Sequence, residues 1–190
     1  MNLKNDIEQY IPYDLQEAKE QEVMLKYLSN FDNLLTRENE FAHLTASAWI
    51  VNPERTKVLM AYHNIYQSWS WIGGHADGNE DLLEVALKET TEETGLVGIF
   101  PILKDIYSLE ILGVPSHIKK SNPIATHLHL NVTYLIEANE TEETTVKTDE
   151  NSAIKWMDLV EAVEACSEPE MKIVYEKLNN KLKTIASEPK

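Results

Sequence analysis

GGHADGNEDLLEVALKETTEETGL, residues 73–96, opens on paired glycines and runs into a helix-forming stretch whose last turns carry Glu89, Glu92 and Glu93. A helix C-terminus already presents negative partial charge, so carboxylates crowded there repel both one another and the macrodipole. At roughly 100° per residue, Leu82, Val85 and Ala86 share one side of the helix, and that side continues through Glu89, Glu92 and Glu93. Glu84, Lys88 and Thr91 take the opposite side. The acidic stripe therefore reads as inward-facing, and something positive must offset it. Oxygen ligands at i, i+3 and i+4 beside glycine backbone suit a hard divalent cation, Mg2+ or Mn2+.

Outward from this stretch, the chain has the texture of one mixed α/β domain with additions. Its 190 residues, 43% hydrophobic, are enough for one well-filled core. Residues 1–40 read as a helical N-terminal appendage: 14–28 have helix-forming composition, and SNFDNLLTREN (29–39) reads as a shorter helix opened by Ser29 or Asn30. Residues 41–190 hold the main domain and a C-terminal helix. HLTASAWIV (43–51) and KVLMAY (57–62) read as adjacent strands across the turn NPERT, and further strands are expected near 104–112, 127–138 and 152–157. DLVEAVEA (158–165) reads as a short helix, and Pro169 opens a last one in which Ile173, Val174, Lys177, Leu178, Lys181 and Leu182 keep a helical period. Residues 138–151 are polar and acidic enough for a loop.

Composition also excludes. With 17 basic against 32 acidic residues the formal charge is −15, which opposes nucleic acid as a partner and means that a phosphate-bearing ligand needs help from a cation. No stretch approaches a membrane span, and the first residues lack the apolar core of a signal peptide. The single cysteine, Cys166, permits no internal disulfide and points to a reducing, cytoplasmic setting. A homodimer through the N-terminal helices stays open.

The quoted stretch resembles the Nudix box, G-x5-E-x7-R-E-U-x-E-E-x-G-U with U aliphatic. Gly74, Glu80, Glu89, Glu92, Glu93, Gly95 and Leu96 stand at the required spacing. Lys88 replaces the family's arginine, keeping the charge without the planar fork, and Thr90 replaces an aliphatic residue. The resemblance implies a Nudix-type α/β/α sandwich around a mixed sheet, with the box as loop, helix and loop. It implies metal binding by Glu89, Glu92, Glu93 and the Gly74 carbonyl, with Glu80 assisting a further ion. It also implies hydrolysis of a diphosphate linkage in a nucleoside diphosphate joined to another group, a small-molecule substrate. The proton of the attacking water goes to a box glutamate, Glu92 or Glu93, or to Glu150 ahead of the last strand, although acidic neighbours make solvated surface the competing reading for Glu150.

Two further groups surround the box. His127 and His129 share one strand face with Asn131 and Thr133, His75 follows the glycine pair, and His43 opens the first strand. These four either hold an additional divalent metal, contact substrate phosphates, or are satisfied within the structure. HLTASAWIVN and GGHA also resemble segments of isopentenyl diphosphate isomerase, in which two such histidines and a pair of strand carboxylates hold a metal; the resemblance places His43 and His75 at the histidine positions and His127 and His129 where the carboxylates would be. That enzyme's catalytic cysteine position is Gly73 here, so the isomerase ranks below hydrolysis, as does a ligand-binding regulatory domain, whose mark would be degraded glutamates. Trp69 and Trp71, with Tyr62 and Tyr66 nearby, offer rings for stacking on substrate or for the core.

Overall fold

A computed structural model describes residues 3–119 and 121–186. The ends of the appendage and of the C-terminal segment, 1–2 and 187–190, lie outside the described residues. The fold is organised by β1 (Ala42–Val51), buried at every position, which pairs in parallel with β9 (His127–Ala138) from Ala42↔Leu128 to Val51↔Glu137. Strands β2 (Lys57–His63), β3 (Ser68–Ser70) and β4 (Ile72–His75) come next in the chain; β4 returns antiparallel along β1 while β3 and β10 (Asn151–Asp158) pair with β2. β5 (Ile99–Pro101) and β6 (Ser108–Val114) run antiparallel to β9, completing a mixed eight-stranded sheet. β7 (His117–Lys119) and β8 (Asn122–Ile124) form a separate hairpin.

Period-2 alternation on β1 divides the core into two layers. Leu44, Ala46, Ala48 and Ile50 pack with Leu82, Val85 and Ala86 of α3 (Leu82–Thr94), and with Ile7 of α1 (Leu3–Gln9) and Met24 of α2 (Leu15–Asn30). Trp49 and Val51, on the other parity, pack with Ala162 of α4 (Leu159–Ala165) and with Tyr175, Leu178 and Leu182 of α5 (Pro169–Ala186). The α/β/α sandwich with a mixed sheet and added terminal helices is therefore the observed architecture. No helix among the described residues is long and apolar enough to cross a membrane.

Two expectations about elements are corrected. The helix expected over 29–39 does not form: α2 continues through Asn30, because Ser29 Oγ and Asn30 Nδ2 donate back to the carbonyls of Leu25 and Lys26 instead of capping a new helix. Beyond Asn30 the chain forms turns, closed by Thr36 N–H on the Asn33 carbonyl and Asn39 N–H on the Thr36 carbonyl. The strand expected from residue 104 begins only at Ser108.

The N-terminal helices share the core of the domain. Glu17, capped into α2 by Asp14, is fully buried and accepts from Lys177 and Lys181 of α5 at 3.1 and 3.2 Å, from Ser108 Oγ at 2.7 Å and from Leu109 N–H at 3.2 Å. Burial works against its charge, but the two lysines prevail and hold it down to about 2. Glu17→Gln is expected to cost about 3–5 kcal/mol, since it leaves the buried Lys181 without its carboxylate partner and Lys177 with Glu110 alone; urea unfolding of both proteins measures the difference. The contribution of this carboxylate is present above the ordinary value near 4.5 and lost as pH falls toward about 2.

Candidate active site

Backbone geometry builds one wall. β4 lies so close on β1 that a Cβ at Gly73 would sit 2.6 Å from the Ala46 carbonyl oxygen, and one at Gly74 would sit 2.5 Å from Glu89 Cδ. Two glycines thus let the Glu89 carboxylate lie against bare backbone. The chain then turns through Asp77 and Gly78, both at positive φ, and Asp81 caps α3 by accepting from Glu84 N–H at 3.0 Å. Gly95 ends the helix at φ 72°, its N–H on the Thr91 carbonyl, and a side chain there would strike Thr145.

The inward-facing acidic stripe is graded rather than uniform. Glu93 is 5% exposed and accepts from Gly73 N–H at 3.3 Å and Asn151 Nδ2 at 2.7 Å; Glu89 is half-buried, and Glu92 is exposed beside Lys88 at 3.6 Å. Burial, then Glu89 and Glu150, pushes Glu93 up to about 7 against its hydrogen bonds. Burial and Glu92 likewise raise Glu89. The site thus stores unfavourable negative charge, the condition a divalent cation relieves. Thr90, the departure from the aliphatic pattern, is fully buried and satisfies its hydroxyl on the Ala86 carbonyl at 2.8 Å. Glu80 is exposed and stands apart from the residues lining the cleft, because it lies in the turn before the helix cap.

These groups face a cleft of about 490 Å³. Glu150 reaches it from the loop before β10, accepting from Lys147 Nζ at 3.0 Å, and the raised value of Glu93 registers its charge. Lys88, His75, His127 and His129 also line it. Trp69 does not: the chain breaks strand geometry at Trp71, so Trp69 turns onto Tyr62, edge to face at 5.5 Å, while Trp71 lines the cleft with His63, Ile65 and Tyr66. His117, Pro123 and Ile124 of the β7–β8 hairpin also line it.

The register of β1, β4 and β9 gathers the histidines. His43 pairs with His129, and Thr45 with His75, bringing ring centroids of His43 to 5.0 Å from both His75 and His129 and to 4.8 Å from His127. Burial, then His75, His43 and His127, pushes His129 down to about 2, and burial lowers His43. Burial thus favours the neutral imidazole at His43 and His129. No cysteine lines the cleft among the described residues; Cys166 is buried against Tyr175 and Ser68, with no part in the site.

Residues that the sequence pattern did not mark also belong here. Arg37 forks onto Asp77, donating from Nε at 2.8 Å, and both line the cleft; it fell in the stretch read as helix. Asn151, which fixes Glu93, and Lys147 lay in the polar loop, where only their proximity to Glu150 could have marked them. Lys88 meets Glu92 with a single ammonium rather than a fork. Lys88→Arg is therefore expected to keep activity or raise it up to a fewfold, read from kcat/KM, while a complete loss would assign the lysine a separate role.

Comparison with known proteins places this geometry. A family model described as the NUDIX domain matches residues 42–178. Similar solved structures include a C. elegans Ap4A hydrolase binary complex, at 20% identity and TM-score 0.55 over 76% of this chain and 97% of that one. A MutT protein from Methanosarcina mazei Go1 aligns at 16% identity and TM-score 0.57 over 76% and 98%. The E. coli dihydroneopterin triphosphate pyrophosphohydrolase aligns at 14% identity and TM-score 0.53 over 70% and 92%. At these identities the structural likeness speaks for the fold alone. No curated protein matches the sequence.

Proposed function

The chain belongs to the Nudix family of hydrolases, and we propose that it hydrolyses a diphosphate linkage in a nucleoside diphosphate joined to another group, with Mg2+ or Mn2+ held by Glu89, Glu92, Glu93 and the Gly74 carbonyl. The observation that carries this reading is Glu93: a carboxylate 5% exposed, raised to about 7, and aimed with Glu89 into a cleft that opens to solvent. A divalent ion held by these residues would supply positive charge to the phosphates and acidify the attacking water. The remaining work falls to side chains. Gly73 N–H and Asn151 hold the Glu93 carboxylate in one orientation. Glu150, outside the box and held by Lys147, accepts the proton of the attacking water, with Glu92 and Glu93 as the alternatives.

Arg37, Lys88 and Lys147 supply positive charge along the cleft, and Tyr66 and Trp71 offer rings to the non-phosphate part of the substrate. A reducing, cytoplasmic setting agrees with the one buried thiol. The test is a panel of dinucleoside polyphosphates, nucleotide sugars, ADP-ribose and nucleoside triphosphates, assayed with millimolar magnesium. At least one is expected to be cleaved at a phosphoric anhydride bond, and inertness toward the whole panel with magnesium and with manganese would contradict the reading.

A further inference from the structure

We propose that the floor of the cleft, made by Thr45, Ser47 and Asn131, recognises a sugar hydroxyl beside the diphosphate and takes it as a hydrogen-bond donor; this rests on the diphosphate reading above and deepens it. All three residues line the cleft, yet each is at most 4% exposed. The direction of their hydrogen bonds is set from behind. Lys177 of α5 meets Glu110 of β6 at 3.0 Å, and a carboxylate facing an ammonium only accepts. Asn131 must therefore turn its amide nitrogen that way, donating to Glu110 Oε2 at 3.0 Å and to Thr133 Oγ1 at 3.0 Å, while Thr133 gives its own proton to the same carboxylate at 2.8 Å. The Asn131 carbonyl oxygen is left facing β1. It accepts from Thr45 Oγ1 at 2.9 Å and from Ser47 Oγ at 2.8 Å, which fills both of its lone pairs.

Each hydroxyl has one proton, and both protons are committed to Asn131. Thr45 and Ser47 can offer only lone pairs to the cleft, so its floor accepts and does not donate. A phosphate oxygen finds no partner there, and a hydroxyl of the substrate does. Position selects which hydroxyl. Ser47 pairs with Gly73 across β1 and β4, its Oγ 2.7 Å from where a Gly73 Cβ would stand, and the Gly73 N–H in turn donates to Glu93 at 3.3 Å. The floor thus adjoins the carboxylate proposed to hold the metal, and in a nucleoside diphosphate the group next to the phosphates is the sugar. Reversing the chain from Lys177 to Ser47 to suit an acceptor would unpair buried groups, the condition under which a site strongly rejects an analogue. Glu110 is a positioning residue in this scheme: it lies behind the cleft lining and fixes the amide of Asn131.

The test uses ATP and UTP with their 2′- and 3′-deoxy, fluoro and amino analogues, affinity being measured by calorimetry in calcium and kcat/KM in magnesium. Fluorine is close to hydroxyl in size and does not donate; an amino group does. At one of the two positions, hydrogen or fluorine is expected to lower affinity and kcat/KM by on the order of tenfold or more, while the amino group keeps them. Ser47→Ala and Thr45→Val, verified as folded by circular dichroism, are expected to bring the hydroxyl-to-fluoro ratio toward one. Glu110→Gln lets the Asn131 amide turn, so the same ratio is expected to fall although both hydroxyls remain; a merely structural role would weaken all analogues alike. Analogues that match the parent nucleotides at both positions, a ratio unchanged by both Ser47→Ala and Thr45→Val, or no binding by any member of the two series would each overturn the proposal. Hydroxyl-dependent binding without cleavage would count against hydrolysis and leave the floor standing, whereas cleavage indifferent to the sugar substituent would count against the floor alone.

Discussion

Glu93→Gln is expected to give a folded protein whose kcat under saturating magnesium is lower by on the order of 10³-fold, the scale of removing one preorganised charge contact from a transition state. The substitution keeps the shape and one oxygen for the Gly73 N–H, while the new amide NH2 faces Asn151, whose otherwise unpartnered Oδ1 can accept from it after an amide flip, so it removes little besides the charge. That charge is costly to the metal-free fold. Raising the carboxylate from 4.5 to about 7 corresponds to roughly 3 kcal/mol. The sign is set by which state holds the proton: the contribution is fully present below about 4.5 and lost as pH rises through about 7. Metal-free Glu93→Gln is accordingly expected to melt at or above the temperature of the metal-free parent at pH 8. Paired kinetics and melting curves check both halves, and a near-normal rate in the folded variant would remove Glu93 from the site.

Removing divalent metal is expected to abolish turnover and to be reversed by magnesium or manganese. The same ions stabilise the fold by mass action, by about 2.7 kcal/mol at a hundred times the dissociation constant. Metal and proton compete for Glu93, so below about 7 the apparent affinity is expected to fall by up to about tenfold per pH unit from this carboxylate alone. Titration calorimetry across pH 5.5–8 and assays in excess chelator provide the measurement. Full activity after dialysis against chelator, or an affinity indifferent to pH, would contradict the assignment.

Much of this was legible in the chain. The strands at 43–51, 57–62 and 127–138 announced themselves by apolar and β-branched composition, and the helix at 82–94 by its period. The carboxylate spacing put Glu89 and Glu93 on the inward side of the helix, where they line the cleft. The stripe argument reached its limit at Glu92, which lies at the edge of the stripe and is exposed while Glu93 and Thr94 beside it are buried. The failures share one cause, which is that tertiary partners override local pattern. Residues 29–39 carry helical composition, but Asn39 spends its side chain on the N–H groups of Phe41 and Ala42 and Arg37 crosses to Asp77, so turns prevail. Trp69 and Trp71 share a parity on paper, and the break between β3 and β4 separates them. Nothing in the helical composition of 14–28 marks Glu17, whose partners Lys177 and Lys181 lie 160 and 164 residues away in sequence. The histidine group was visible in part, through the alternation of His127 and His129, but only the parallel register of β1 on β9 brings His43 beside them.

The most direct test of the central claim is hydrolysis in water enriched in ¹⁸O with the best substrate of the panel, followed by mass spectrometry of both products, for the parent protein and Glu93→Gln, with magnesium and with chelator. The account predicts that each product carries phosphate, that one ¹⁸O enters a single phosphate of one product, and that label appears only with metal and falls steeply in Glu93→Gln. Label on a carbon atom of the product, or equal labelling in chelator and in Glu93→Gln, would contradict it.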